Sequence, residues 1–190
     1  MTRHDYSRDL AVVIPLKRVA AAKQRLRRAG AANVDALVWR LARKVIEAAR
    51  ERPTYVVTED RDVAAFATSL SVETIMTSAR TLSGAVSDAY GYLDATFDRL
   101  LIAHADLADP SGLGDFEPDD GVTMVADRHG RGTNVLALAT GLDFRFGYGA
   151  NSLAHHRLEA QRLGLNYTVI SDSPWSWDVD VIDDLLPDGR

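Results

Sequence analysis

Short apolar runs alternate along the chain with longer stretches in which apolar residues return every three or four positions. Leu10-Ala-Val-Val-Ile-Pro15 is a continuous apolar run closed by proline, the pattern of a buried strand in a parallel sheet. Val34, Leu37, Val38, Leu41, Val45 and Ala48 recur at helical spacing, with Asn33 placed to cap the helix and Pro53 beyond its end. The next segments read as a strand over Tyr55–Thr58, a helix over Asp62–Thr68 and a strand over Val72–Met76. A long helix is expected from Gly84 to Phe97, with Tyr90, Tyr92 and Phe97 as core, followed by a strand over Leu100–Ala103.

Asp109–Gly121 is rich in Asp, Pro and Gly and reads mostly as loop. Val122–Ala126 and Val135–Thr140 look like strands around a glycine-bearing connection. Ser152–Leu163 reads as a helix stopped by Gly164. Tyr167–Ile170 and Trp177–Val179 read as short strands, and Ile182–Leu186 as a last helical turn. Strands alternating with helices predict an α/β fold, a three-layer sandwich with a mainly parallel mixed sheet. Ligands of such sheets gather at the carboxyl ends of the strands, which tells where to look for chemistry.

At 190 residues the chain is about one domain long, and residues 1–190 are read as one domain. With 46% hydrophobic and 26% charged residues it has ordinary globular composition, which excludes a collagen, a coiled coil and a disordered tail protein. No apolar run approaches the ~18 residues of a membrane-spanning helix. The polar, charge-mixed head resembles no signal peptide, so an intracellular, cytoplasmic location is expected. Met1–Arg8 and the last few residues are the expected flexible parts. The chain has no cysteine, which removes disulfides, thiolate metal sites and a Cys nucleophile.

Charge sharpens this picture. The net charge of -5 lacks the basic footprint of a nucleic-acid binder, so no nucleic-acid partner is expected, and none in a membrane. Its distribution is uneven. Lys17, Arg18, Lys23, Arg25, Arg27 and Arg28 follow the first strand with no acid among them, while Asp172–Asp188 contains six aspartates and no base. An anionic ligand bound with a divalent cation needs such a pair of segments.

Five segments could carry chemistry. Lys17, Lys23 and Arg25 lie just past a strand's carboxyl end, where cations clamp phosphates, or else form a solvated basic face. The Gly-x-x-x-x-Gly-Lys pattern of a P-loop is absent. Asp106, past another strand, can offer oxygen to Mg²⁺ or cap a turn. In Asp127–Asn134, Gly130 and Gly132 permit a tight turn whose N–H groups could nest an anion, with Thr133 beside it, or form a plain connection. Phe146-Gly-Tyr-Gly-Ala-Asn-Ser152 leads into a helix whose N-terminus suits a phosphate or carboxylate, unless Asn151 or Ser152 only caps it. Asp178 and Asp180, two apart on a strand, would share a face and repel unless a cation lay between them. His155 and His156 are adjacent and give no zinc spacing, and Gly-x-Ser-x-Gly is absent.

Together VVIPLKRVAAAKQRL, AHADL, DRHGRGTNVLAL, FGYGANSLAHH and WDVDVIDDL, in this order from about Val12 to Leu185, resemble the 2-phospho-L-lactate / phosphoenolpyruvate guanylyltransferase family. The resemblance implies a Rossmann-like, nucleotide-diphospho-sugar transferase (GT-A-like) fold similar to the molybdenum-cofactor guanylyltransferases. It implies transfer of GMP from GTP to a small phospho-carboxylic acid, with release of pyrophosphate, in deazaflavin coenzyme F-420 biosynthesis. It also implies that Lys17, Lys23 and Arg25 contact the GTP phosphates. Asp106, Asp178 and Asp180 would bind Mg²⁺, and Thr133, Gly149 and Ser152 would hold the acceptor. Leu82, Ser83 and Gly84 correspond to the segment that reads guanine. A homodimer, and a link to the next transferase of the pathway, are the partner arrangements to consider.

The chain departs from the family in three places, one of them Asp109–Gly121, which is short for the helix the family places there. Thr81-Leu-Ser-Gly-Ala-Val-Ser87 is poorer in glycine than the usual base segment and lacks its asparagine, and Ala108 stands where a proline is usual. Two other readings stay open: a catalytically weak or inactive module that binds phospho-acid or nucleotide, and a nucleotidyltransferase for another acceptor such as 3-phosphoglycerate.

Overall fold

The structure is a computed structural model and describes residues 10–180 and residue 184. Among the described residues seven strands form one sheet: β1 (Leu10–Pro15), β2 (Thr54–Thr58), β3 (Glu73–Met76), β4 (Arg99–Ala103), β5 (Val122–Ala126), β6 (Thr133–Ala139) and β7 (Tyr167–Ile170). Their order is β3-β2-β1-β4-β6-β5-β7. Pairing is parallel except on the two sides of β6, which runs antiparallel to β4 and β5. The mainly parallel mixed sheet is therefore as the hydrophobic pattern predicts.

Alternation along the central strands builds the three layers. Leu10, Val12 and Ile14 of β1, with Leu101 and Ala103 of β4, pack on one face against α2 (Val34–Ala48) and α3 (Arg61–Ser69). Ala11 and Val13, with Leu100 and Ile102, face α4 (Leu82–Leu93) and α5 (Ser152–Arg162). Both faces of the sheet are covered, which is why these strands read as unbroken apolar runs.

Four expectations need correction. Helix α4 starts earlier and stops sooner than Gly84–Phe97: the Thr81 side chain accepts the Gly84 N–H at its start, and the N–H groups of Thr96 and Phe97 both turn back to the Leu93 carbonyl. Tyr90 and Phe97 are buried, but Tyr92 is 67% exposed and is not core. Asn33 precedes α2 in the left-handed region and makes no side-chain cap bond. Trp177–Val179 forms no strand; its single bridge pairs Asp178 with Leu107.

A short helix α1 (Gln24–Arg28) interrupts the basic segment, which the pattern did not announce because only Leu26 of it is buried. The proposed turn at Ile182–Leu186 lies, apart from residue 184, outside the described residues, as does the head Met1–Arg8. Among the described residues no helix is long and apolar enough to cross a membrane.

Candidate active site

The carboxyl ends of β1, β2 and β4 lie at one edge of the sheet, and because β6 is antiparallel its first residues, Thr133 and Asn134, lie there too. A cleft of about 1200 Å³ opens along this edge. Ten of the twelve residues singled out in the sequence line it: Lys17, Lys23, Arg25, Leu82, Asp106, Thr133, Gly149, Ser152, Asp178 and Asp180. Ser83 and Gly84 are not on its wall. The Ser83 hydroxyl oxygen accepts the Tyr148 N–H at 2.9 Å, and a side chain on Gly84 would meet Ala79 and Thr81. Both serve the entry of α4 and its fit to the loop before α5.

Asp106, Asp178 and Asp180 each bring a carboxylate oxygen to within 4.8 Å of the others. Backbone pairing assembles them: the Val179 N–H donates to the Asp106 carbonyl and the Ala108 N–H to the Trp177 carbonyl, at 3.1 and 2.9 Å. Asn134, which the sequence reading did not single out, donates from Nδ2 to the Trp175 carbonyl at 3.0 Å and to Asp178 Oδ1 at 3.3 Å. Burial, and then the charges of Asp106 and Asp180, hold the Asp178 carboxyl above the usual carboxylate range. Three hard oxygen donors converging this closely fit a divalent cation such as Mg²⁺.

Lys23 lies among these carboxylates. Its ammonium pairs with Asp106 and, at 2.8 Å, with Asp180, and its side chain is only 6% exposed. Burial works against its charge, but the two aspartates outweigh burial and hold its pKa above the ordinary lysine value. For Asp106, burial pushes the pKa up, but Lys23, His104 and a backbone hydrogen bond together outweigh it, so the carboxyl stays below its ordinary value. The backbone that delivers Lys23 is left-handed, at φ 53° and ψ 43°, a conformation that costs a non-glycine residue about 1–2 kcal/mol. Arg25 is exposed and reaches Asp180 at 3.7 Å, and Lys17 is exposed on the same wall.

The glycine-bearing turn after β5 needs a correction. The N–H groups of His129 and Arg131 donate to Asp127 Oδ1, at 3.1 and 2.8 Å, and the Gly130 N–H donates to the Asp127 carbonyl. The nest expected for a ligand anion is thus filled by the chain's own Asp127. What the turn delivers to the cleft is Thr133.

Thr133 and Ser152 meet directly, the Thr133 N–H donating to Ser152 Oγ at 2.9 Å. Both are buried, Ser152 at the start of α5 and Gly149 three residues before it. Gly149 adopts φ 127°, a backbone that a side chain would strain. Asn151 makes no side-chain cap bond, so neither it nor the Ser152 hydroxyl caps α5 in the usual way. The site thus has three parts along one edge: a basic loop, a carboxylate cluster and a pair of hydroxyls at a helix N-terminus.

The family model described as "Guanylyl transferase CofC like" matches residues 10–187. A phosphoenolpyruvate guanylyltransferase of Chloroflexus aurantiacus is 28% identical over 184 residues, covering 90% of this chain and 90% of that protein. A 2-phospho-L-lactate guanylyltransferase of Methanothermobacter thermautotrophicus is 33% identical over 137 residues, covering 68% of this chain and 60% of that protein. A solved nucleotidyl transferase from the same genus superposes with a TM-score of 0.67 at 18% identity, over 93% of this chain and 94% of that one. At that identity the likeness shows the fold, which is the expected nucleotidyltransferase architecture.

Proposed function

The chain belongs to the CofC-like guanylyl transferase family, and we propose that it transfers GMP from GTP to the phosphate of a small phospho-carboxylic acid, phosphoenolpyruvate or 2-phospho-L-lactate, as a step in making a deazaflavin coenzyme. One observation carries this reading beyond family membership. The basic loop, the carboxylate cluster and the hydroxyl pair line a single cleft at the sheet edge where such folds bind nucleotides.

A phosphate oxygen of the acceptor attacks the α-phosphorus of GTP. The bond from that phosphorus to the bridging oxygen of the β-phosphate breaks, and pyrophosphate leaves with the electron pair. The acceptor phosphate is already ionised near neutral pH, so the protein needs no general base. Its work is positioning and charge neutralisation. Lys17 and Arg25 face the triphosphate and stabilise the departing pyrophosphate. Asp106, Asp178 and Asp180 would hold Mg²⁺, whose chemistry when bound is to neutralise phosphate oxygens as a Lewis acid. Lys23 neutralises these carboxylates and is within reach of any phosphate brought to them. Thr133, Ser152 and the glycine backbone at 149 bind the acceptor's anionic groups. Leu82 and the neighbouring wall from Ala79 to Thr81 face the base.

Phosphorus NMR tests the reaction. With GTP, Mg²⁺ and phosphoenolpyruvate or 2-phospho-L-lactate, the acceptor's monoester signal should give way to a coupled diphosphate pair while free pyrophosphate appears. GTP consumed with both acceptors unchanged overturns the assignment.

A further inference from the structure

We infer that His156 is a positioning residue that fixes the direction of the Thr133 hydroxyl, so that this hydroxyl meets the acceptor as a donor. The inference rests on the proposed acceptor role of Thr133 and adds a residue to it.

His156 is fully buried on α5, on the helix face it shares with Leu153 and Ala160. Its ring packs against Tyr148, and each of its two nitrogens has one polar partner. The Gly147 N–H donates to Nε2 at 3.2 Å, and Nδ1 lies 3.0 Å from Thr133 Oγ1. A backbone N–H can only donate, so Nε2 must be the unprotonated nitrogen. A buried neutral imidazole carries one proton, and here it sits on Nδ1. Nδ1–H therefore donates to Thr133 Oγ1.

A hydroxyl that accepts on its oxygen keeps its own proton to give away. The same logic holds one step on, because Ser152 Oγ accepts the Thr133 N–H at 2.9 Å. Thr133 and Ser152 both line the cleft, and each has a donor already placed on its oxygen. Both protons are then available to an oxyanion. Two oriented O–H donors select a carboxylate or phosphate oxygen over a group that must itself donate. The Gly147 contact links this orientation to the loop carrying Gly149, so ring and loop hold each other in place. A ring without nitrogen would release the Thr133 hydroxyl to rotate and would orphan the Gly147 N–H.

Steady-state kinetics separate positioning from packing. The acceptors used are phosphoenolpyruvate and 2-phospho-L-lactate, each against GTP. His156→Phe should raise the KM of the active acceptor on the order of tenfold, the worth of one hydrogen bond to a charged group, with the KM of GTP little changed. His156→Asn, whose amide N–H falls near the place of Nδ1, should recover most of the loss. His156→Gln, whose amide falls near Nε2, should not. Thr133→Val combined with His156→Phe should be no worse than Thr133→Val alone.

Equal Asn and Gln variants, equal rises in both KM values, or losses that multiply in the double variant overturn the inference. They do so even if the Phe variant fails to fold, because the Asn and Gln pair carries the comparison. If Thr133→Val leaves the acceptor KM unchanged, the acceptor site itself is misplaced and the inference falls with it. If Thr133→Val raises that KM while the His156 variants are silent, only the role of His156 falls.

Discussion

Lys23 and Asp180 are 157 residues apart in the chain, yet the lysine ammonium lies 2.8 Å from the aspartate carboxylate, and the same ammonium pairs with Asp106. The head of the chain thus supplies the cation that keeps the acidic cluster together. The basic segment and the acidic segment meet as their charges suggest, but the meeting is through a lysine inserted between two proposed metal ligands.

Removing that lysine should expose the repulsion it suppresses. Lys23→Met should lower the melting temperature in the presence of EDTA, with a loss of about 1–3 kcal/mol from carboxylates left without their charged hydrogen-bond partner. Millimolar Mg²⁺ should restore more stability to this variant than to the wild type. Thermal melts with EDTA and with Mg²⁺ measure both. An unchanged melt in EDTA contradicts the pairing.

Asp180 is the most exposed of the carboxylates that Lys23 pairs with, its side chain 46% accessible, so replacing it should spare the fold. Asp180→Asn should cut turnover on the order of 10²–10³-fold, the usual cost of one electrostatic contact to a transition state. Circular dichroism should be unaltered. Near-wild-type turnover would sink the assignment of Asp180 to the cation site.

Asn134 acts on the cluster from behind, tying Asp178 to the Trp175 carbonyl. Asn134→Ala should raise the Mg²⁺ concentration for half-maximal activity by about tenfold or more, as loss of an outer hydrogen bond to a metal ligand typically does. A Mg²⁺ titration of activity tests this. A lower kcat with an unchanged half-saturation point would show that Asn134 serves something else.

The buried His156 also gives a pH dependence of stability. Burial, followed by the charges of His155 and His104 and opposed by Glu159, pushes its pKa down from 6.5 to about 3. Between those values the unfolded chain binds a proton that the folded chain does not, so acid favours unfolding. The contribution is complete above about pH 6.5 and is lost on acidification toward 3, by at most about 1.4 kcal/mol per pH unit. His156→Asn, which cannot titrate, should have the shallower stability profile between pH 7 and 5 in urea denaturation. Parallel profiles would contradict the neutral, buried imidazole.

Much of this was legible in the sequence, for physical reasons. The strands announce themselves because both faces of the sheet are covered, so Leu10–Ile14 and Leu100–Ala103 are apolar throughout. Asp106 stands out because a carboxylate follows such a run, and Asp178 and Asp180 because like charges fall close together. Partnership was not legible. The Lys23 pair and the Asn134 contacts are long-range, and no local pattern encodes them. Nor could the anion nest be separated from its self-filled form, because whether Asp127 turns inward depends on the backbone. His156 left a faint signal: it shares the helical spacing of the buried Leu153 and Ala160, where a polar ring must find partners. The adjacent His155, read for zinc spacing, obscured it.

The most direct test of the account is pyrophosphate release by the purified protein with Mg²⁺, each of the four nucleoside triphosphates being crossed with phosphoenolpyruvate, 2-phospho-L-lactate and 3-phosphoglycerate. The account predicts release that needs both GTP and phosphoenolpyruvate or 2-phospho-L-lactate, and that disappears when Mg²⁺ is chelated. No release across the grid, or release that ignores the identity of the acid, would contradict it.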